Sequence, residues 1–227
     1  MTKPNKLPAQ LAGNLDVPPS VWADSRRLEE HLPEGLIAVY TSAAGLVLDA
    51  TGAALIPAVI AGRRCVSLVP EERGDLVALL DTLDAEQRSL AQVRLVDSDA
   101  VPGAVAAFTD EADLVLATAE VTRAAGWWPA ARGALRVGGH AAIVCGTVDV
   151  GVHAKIVTGA TSAGLAFTQH LVAVSSAVLD EAVAAEAVGD DGRRRRGGKV
   201  HARSHRDVYV FRNPASMTGL LSPRQAT

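Results

Sequence analysis

Aromatic residues are scarce in this sequence: Phe, Trp and Tyr together make 4% of 227 residues. Ala, Val, Leu and Gly fill the chain instead, and small apolar side chains suit buried parallel strands packed closely by helices on both faces. Cysteine is nearly absent. Cys65 and Cys145 each sit inside an apolar run and form no C-x-x-C pair, so they read as small buried hydrophobes and not as metal ligands. No apolar run reaches the ~18 residues of a membrane span. The opening MTKPNKLPAQ has no apolar stretch of the signal-peptide kind, so a cytoplasmic location without membrane contact is expected. A strong charge of one sign is missing too. Lys and Arg number 22 against 25 Asp and Glu, a net charge of −3, which excludes a uniformly basic nucleic-acid binder while leaving room for a local basic patch.

What remains is 48% hydrophobic, enough for one substantial core and short of two comfortable domains. Residues 1–20 carry four prolines and little periodicity and read as a flexible arm, residues 21–214 as the domain, and 215–227 as a tail. After Pro18 and Pro19 a helical stretch is expected from near Val21. Leu28, Leu32, Leu36 and Ile37 give it one apolar stripe, with Pro33 as a point where it divides. Short apolar runs then follow at Leu46–Asp49, Cys65–Val69, Val93–Val96, Leu114–Thr118 and Ala141–Cys145, the pattern of strands buried on both faces. Helices are expected between them at 53–62, 72–90, 100–108, 122–135 and 150–164. This alternation predicts a parallel sheet with right-handed crossovers.

The ending breaks the alternation. Phe167–Ser176 and Asp207–Arg212 both have strong strand character, with no clear helix between them, and an antiparallel pair is expected. The predicted fold is α/β: a Rossmann-like, doubly wound, seven-stranded mixed sheet with a terminal antiparallel strand pair. Between the last two strands, residues 179–206 form a basic loop. Arg193, Arg194, Arg195, Arg196, Lys199, Arg203 and Arg206 crowd its end, and glycines surround them. A solvated loop accounts for such a run. If its strand runs parallel to the first five, however, the loop reaches their C-terminal edge, where ligands bind in such sheets. Phosphates of RNA or DNA are then natural partners for Arg193–Arg196, Lys199 and Arg203.

Six histidines raise the question of a metal. His201 and His205 have a ligand-like spacing, yet Arg203 and Arg206 beside them repel a divalent cation, and no metal site is expected. GATSAG at 159–164 is a poor match to a nucleophile elbow and reads as a helix end. The adjacent Trp127 and Trp128 are expected to divide into one core residue and one interface residue. Self-association is left open by the strands near the C-terminus, expected at a sheet edge.

The segment VYTSAAGLVLDATGAALIPAVIAGRRCVSLVPEE, with Ser20-Val21-Trp22, Tyr40-Thr41, Leu46–Asp49, Gly62-Arg63 and the closing Asp207–Arg212, follows a recognisable frame. It resembles the actinobacterial group related to tRNA guanosine N2-methyltransferases and DNA adenine or cytosine amino-methylases. These belong to the class I S-adenosylmethionine-dependent superfamily. The likeness spans about residues 20–214. It implies that S-adenosylmethionine would lie against Asp49, Thr51, Gly52, Glu71 and Asp99, and that a target amine would meet Thr118 and Glu120. Asp99 is read in parallel as a helix cap.

The departures fall at the same places. Ala50 replaces the family's proline, Ala53 and Leu55 stand at its two glycine positions, and Pro57 at its threonine. A leucine there would need a left-handed conformation costing ~1–2 kcal/mol, and its side chain would fill cofactor space. Val69 stands where the family's ribose-binding acid belongs. Thr118-Ala119-Glu120-Val121 replaces the polar residue, proline pair and aromatic that hold the target base. The resemblance therefore implies a methyltransferase-like protein with degenerate motifs, acting by binding or regulation. An active enzyme with an atypical pocket and a nucleic-acid-binding module are the alternatives.

Overall fold

Runs such as Leu46–Asp49 and Ala112–Thr118 bury nearly every side chain, which only a strand flanked by strands and covered on both faces can do. The computed structural model describes residues 20–24, 28–70, 72, 75–146, 149–175 and 205–215. In chain order the elements are β1 Ser20–Asp24, α1 Leu28–Tyr40, β2 Leu46–Asp49, α2 Leu55–Ile60, β3 Arg64–Val69, α3 Asp75–Leu79 and α4 Ala85–Leu90. They continue with β4 Ala91–Leu95, α5 Val101–Ala106, β5 Ala112–Thr118, α6 Trp127–Ala134, β6 Leu135–Cys145, α7 Val150–Ser162, β7 Ala166–Ser175 and β8 His205–Arg212.

One mixed sheet has the order β1-β7-β8-β6-β5-β2-β3-β4. β2 pairs in parallel with both β3 and β5, so the chain winds one way through β3 and β4 and the other way through β5 and β6. The point of reversal lies between β2 and β5. The expected antiparallel pair is present, β8 lying antiparallel to both β7 and β6. One face packs Trp127, Ile143, Ile156 and Phe211 with α5, α6 and α7; the other packs Leu36, Ile37, Leu55, Leu114 and Val210 with α1 and α2.

The sheet has eight strands, not seven, because Ser20–Asp24 is a strand and not the start of a helix. It pairs in parallel with Leu171–Ser175 of β7. Val21 and Trp22 favour extended backbone, and the pairing satisfies β7's outer amides and carbonyls. β7 is therefore covered, and the sheet edges are β1 and β4. α1 runs through Pro33 without dividing. Burial of Leu32, Leu36 and Ile37 offsets the hydrogen bond that proline removes.

The helix expected over 72–90 is broken. Asp84 makes a capping box with Gln87 that starts α4 afresh, after α3 and a 3-10 turn at Leu80–Thr82. The helix expected over 122–135 is likewise shortened to α6, behind a 3-10 turn at Val121–Arg123. Gly138-Gly139 lie inside the long strand β6. No helix of the described residues is long and apolar enough to cross a membrane.

Candidate functional site

The C-terminal edge of the sheet at the β2–β5 reversal is where open α/β sheets bind ligands. Its floor is the loop after β2. Asp49 closes that strand with a fully buried carboxylate. Its Oδ1 accepts from the Thr51 amide at 2.8 Å, the Thr51 hydroxyl at 2.6 Å and the Gly52 amide at 3.2 Å. Its Oδ2 accepts from the Ala54 amide and the Ser67 hydroxyl, both at 2.9 Å. Five donors occupy the two oxygens, so Asp49 shapes the loop and presents no carboxylate to a ligand. Gly52 carries the left-handed turn, with φ +72°.

Leu55 is not left-handed and does not obstruct this site. The positive-φ residue is Gly52, and Leu55 opens α2 with its side chain in the core beside Val47 and Leu114. Shifting the glycine by one position keeps the turn and rotates the leucine inward. Pro57 sits in the first turn of α2, where a missing N–H is tolerated.

Above the loop lies a crevice of about 160 Å³. Thr51 and Ala53 line it from the loop, Thr118 and Leu116 from β5, Val144 from β6, and Arg206 from β8. Leu32, Pro33 and Leu36 of α1 close one side. Thr51 and Thr118, expected beside cofactor and target amine respectively, thus line the same crevice. Glu120 is exposed at the start of a 3-10 turn and does not line the crevice. Asp99 is exposed in the turn before α5, whose N-cap is Ala100, so it does not act as that cap. Val69, at the position of the family's ribose acid, is buried. Glu71, Arg193, Arg194, Arg195, Arg196, Lys199 and Arg203 lie outside the described residues.

Arg206 and the α1 residues Leu32, Pro33 and Leu36 line the crevice beyond the residues expected there. Arg206 was counted with the basic run, but the alternation in HRDVYVFR places 206, 208 and 210 on the α1 face of β8, and that signal was readable. The part played by Leu32, Pro33 and Leu36 depends on how α1 docks, which no local pattern states.

On the opposite face of β8, titratable groups form a network. His170 Nε2 lies 2.8 Å from Asp207 Oδ1, and His205 Nε2 lies 3.7 Å from Asp207 Oδ2. His153 bonds the Tyr209 hydroxyl and lies 3.6 Å from Cys145 Sγ, while His170 stacks on the Tyr209 ring at 4.7 Å. Burial draws the Asp207 pKa upward, but the His170 hydrogen bond and the histidine charges more than offset this, and it lies below its ordinary value. Burial first, then the Asp207 charge, pushes the Tyr209 phenol up. Burial also raises the Cys65 thiol well above its usual range, with the Asp49 charge adding to it, so Cys65 is an inert core residue. Among the described residues no group of three His, Cys, Asp or Glu is placed to hold a metal ion. Trp127 is fully buried, as expected of the core residue of the pair, and Trp128 partly so.

No family model matches the chain, and no curated protein does. Solved structures do. The [4+2]-cyclase SpnF is similar with a TM-score of 0.56 at 12% identity, over 82% of this chain and 82% of that one. An rRNA methylase from Streptococcus thermophilus has a TM-score of 0.52 at 12% identity, over 82% of this chain and 96% of that one. Phosphoethanolamine N-methyltransferase 2 of Haemonchus contortus, solved with S-adenosyl-L-methionine, has a TM-score of 0.50 at 12% identity, over 82% of this chain and 53% of that one. The chain has the fold of class I S-adenosylmethionine-dependent methyltransferases. A cyclase shares that fold with methylases, so the fold by itself names no reaction.

Proposed function

We propose that this methyltransferase-like protein holds S-adenosylmethionine by its methionine end in the crevice, and that it acts by binding and not by methylating an amine. The observation that carries the reading is the crevice itself: Leu55 is tucked into the core, leaving Thr51, Ala53 and Thr118 around open space. The residues present suit one end of that cofactor better than the other. The left-handed Gly52 and the small Ala53 allow close approach of an amino-acid group. At the end of β3 the buried Val69 offers the ribose no acceptor.

Amine methylation asks for more than the crevice supplies. Among the described residues its polar side chains are two threonines and an arginine, none of them a proton acceptor near neutral pH, and no aromatic ring lines it. The resemblance of the sequence to tRNA and DNA amino-methylases supports descent from an enzyme of that kind whose target-amine residues have been replaced.

Isothermal titration of the full chain with S-adenosylmethionine and S-adenosylhomocysteine tests the first half, with binding expected for both and lost in Ala53→Trp. Absence of heat with either compound overturns it. Incubation with methyl-labelled cofactor and total RNA or DNA tests the second half. No transfer is expected, and label on either polymer defeats the binding-only reading.

A second reading concerns partners. β7 ends and β8 begins at the same edge as the crevice, so the basic run Arg193–Arg196 with Lys199 and Arg203 belongs to a connection rooted there. We infer RNA or DNA as its partner. Replacing Arg193–Arg196 by alanine is expected to weaken oligonucleotide binding and to flatten its dependence on salt. Unchanged affinity and slope would remove the run from the interface.

A further inference from the structure

Thr118 faces the crevice, and the next residue, Ala119, lines a separate cleft of about 540 Å³ on the other face of the sheet. This cleft lies between the 3-10 turn Val121–Arg123, α6 and the first half of α7. The two cavities share no lining residue. Its volume falls in the range of ligand pockets, ~300–1,000 Å³.

One wall is the Trp128 indole. It packs edge-on to Phe211 at 5.9 Å and 74°. It also lies against the backbone of α7 at Gly159, where a Cβ would fall 2.2 Å from the indole Nε1. The glycine lets the ring press onto the helix, so the wall is fixed from two sides. Two cations, Arg123 and Lys155, line the same cleft. Both are exposed, and among the described residues neither takes part in a salt bridge.

The turn that carries Arg123 is held by the Thr122 hydroxyl, which donates to the Ala119 carbonyl at 2.8 Å. One carboxylate, Asp149, faces the cleft as well, and its Oδ1 accepts the Gly151 amide at 2.8 Å as the cap of α7. Two cations against one capped carboxylate leave the lining net positive. A single exposed cation is ordinary surface, but two of them with a fixed indole on one concave wall define a chemistry.

We propose that this cleft binds a planar aromatic ligand bearing an anionic group, the ring against Trp128 and the anion held by Arg123 and Lys155. The proposal goes beyond the reading of the crevice and does not rest on S-adenosylmethionine being bound there. A phosphate on a nucleoside and a carboxylate on an aromatic acid share this chemistry, and the experiment separates them.

The full chain, without cofactor, is titrated with AMP, GMP and indole-3-acetate, and in parallel with adenosine, indole-3-acetamide and inorganic phosphate. Heat and tryptophan fluorescence are both followed. At least one aromatic anion is expected to bind, with its neutral counterpart and inorganic phosphate weaker by about tenfold or more. The double variant Arg123→Ala/Lys155→Ala, altered only at exposed positions, is expected to lose about tenfold in affinity with its thermal midpoint unchanged. Nucleotides binding in preference to indole-3-acetate identify phosphate as the anion, and the reverse identifies carboxylate. Absence of binding by all three aromatic anions, phosphate binding as tight as theirs, or full affinity in the double variant each overturns the proposal. S-adenosylmethionine binding in that same variant is expected to be intact, so the cleft and the crevice fail separately.

Discussion

Asp49 and Asp113 are buried carboxylates at opposite ends of the neighbouring strands β2 and β5, and they are held in different ways. Every donor to Asp49 is a backbone amide or an uncharged hydroxyl, and none is a cation. Asp113 instead takes the Ser42 amide at 2.8 Å, the Ser42 hydroxyl and the guanidinium of the half-exposed Arg136. The first carboxylate organises the loop by accepting its amides and hydroxyls. The second ties the turn after α1 to the start of β6 at the far end of the sheet. At the crevice edge a charge is consumed inside the protein to hold a loop in shape; at the other edge a charge pair holds a junction closed.

The largest effect is expected at Asp49. Asp49→Ala removes the acceptor of the buried Ala54 amide and Ser67 hydroxyl, at ~1–3 kcal/mol for each unsatisfied group. A loss of at least about 3 kcal/mol is expected in urea unfolding, together with loss of any ligand bound in the crevice. A variant as stable as the parent would mean that the two carboxylates do not differ as described. Asp113→Ala ranks next, at about 1–2 kcal/mol, because Arg136 and Ser42 are able to turn to water. Crevice binding is expected to survive it. Binding lost along with stability would join the two ends of the sheet into one unit.

Acid sharpens the contrast on a smaller scale. Burial raises the Asp113 pKa, but the Ser42 and Arg136 donors more than offset it, so the folded value lies below the ordinary 3.8. A carboxylate depressed by folding contributes stability that is complete above its unfolded pKa and is lost as pH falls through the folded one. Asp207 is depressed in the same direction. Below about pH 4 the parent is therefore expected to lose stability that Asp113→Asn no longer has to lose. Parallel unfolding curves for the two proteins down to about pH 2 would deny Asp113 its part. Smallest of all in stability is Ala53→Leu, an exposed site expected to change it by no more than ~0.5 kcal/mol. It is nevertheless expected to abolish binding in the crevice, and a leucine there without effect would place the ligand elsewhere.

Much of this was legible along the chain. Leu46–Asp49 and Leu114–Thr118 are short, apolar and bounded by turn residues, and both are central strands. Asp207–Arg212 alternates cleanly and forms most of β8. The reading failed where the deciding partner was remote. Ser20–Asp24 pairs with a strand some 150 residues later, and nothing in five residues announces that. Leu55 stands at a glycine position of the resembled frame, yet the direction of its side chain follows from Gly52 taking the turn and α2 opening at Leu55. Glu120 was an acid at the right position in sequence and is aimed away from the crevice by the 3-10 turn it opens.

The sequence by itself determined the doubly wound α/β frame and the terminal antiparallel pair. Those features are local: strand periodicity, turn residues and the identity of single positions suffice to state them. The tertiary structure alone decided that the site is open. Whether Asp49 faces a ligand or its own loop, whether Leu55 fills the crevice or the core, and whether Trp128 and Lys155 share a wall all depend on how elements far apart in sequence pack. Packing is a property of contacts between them, which no window of residues contains.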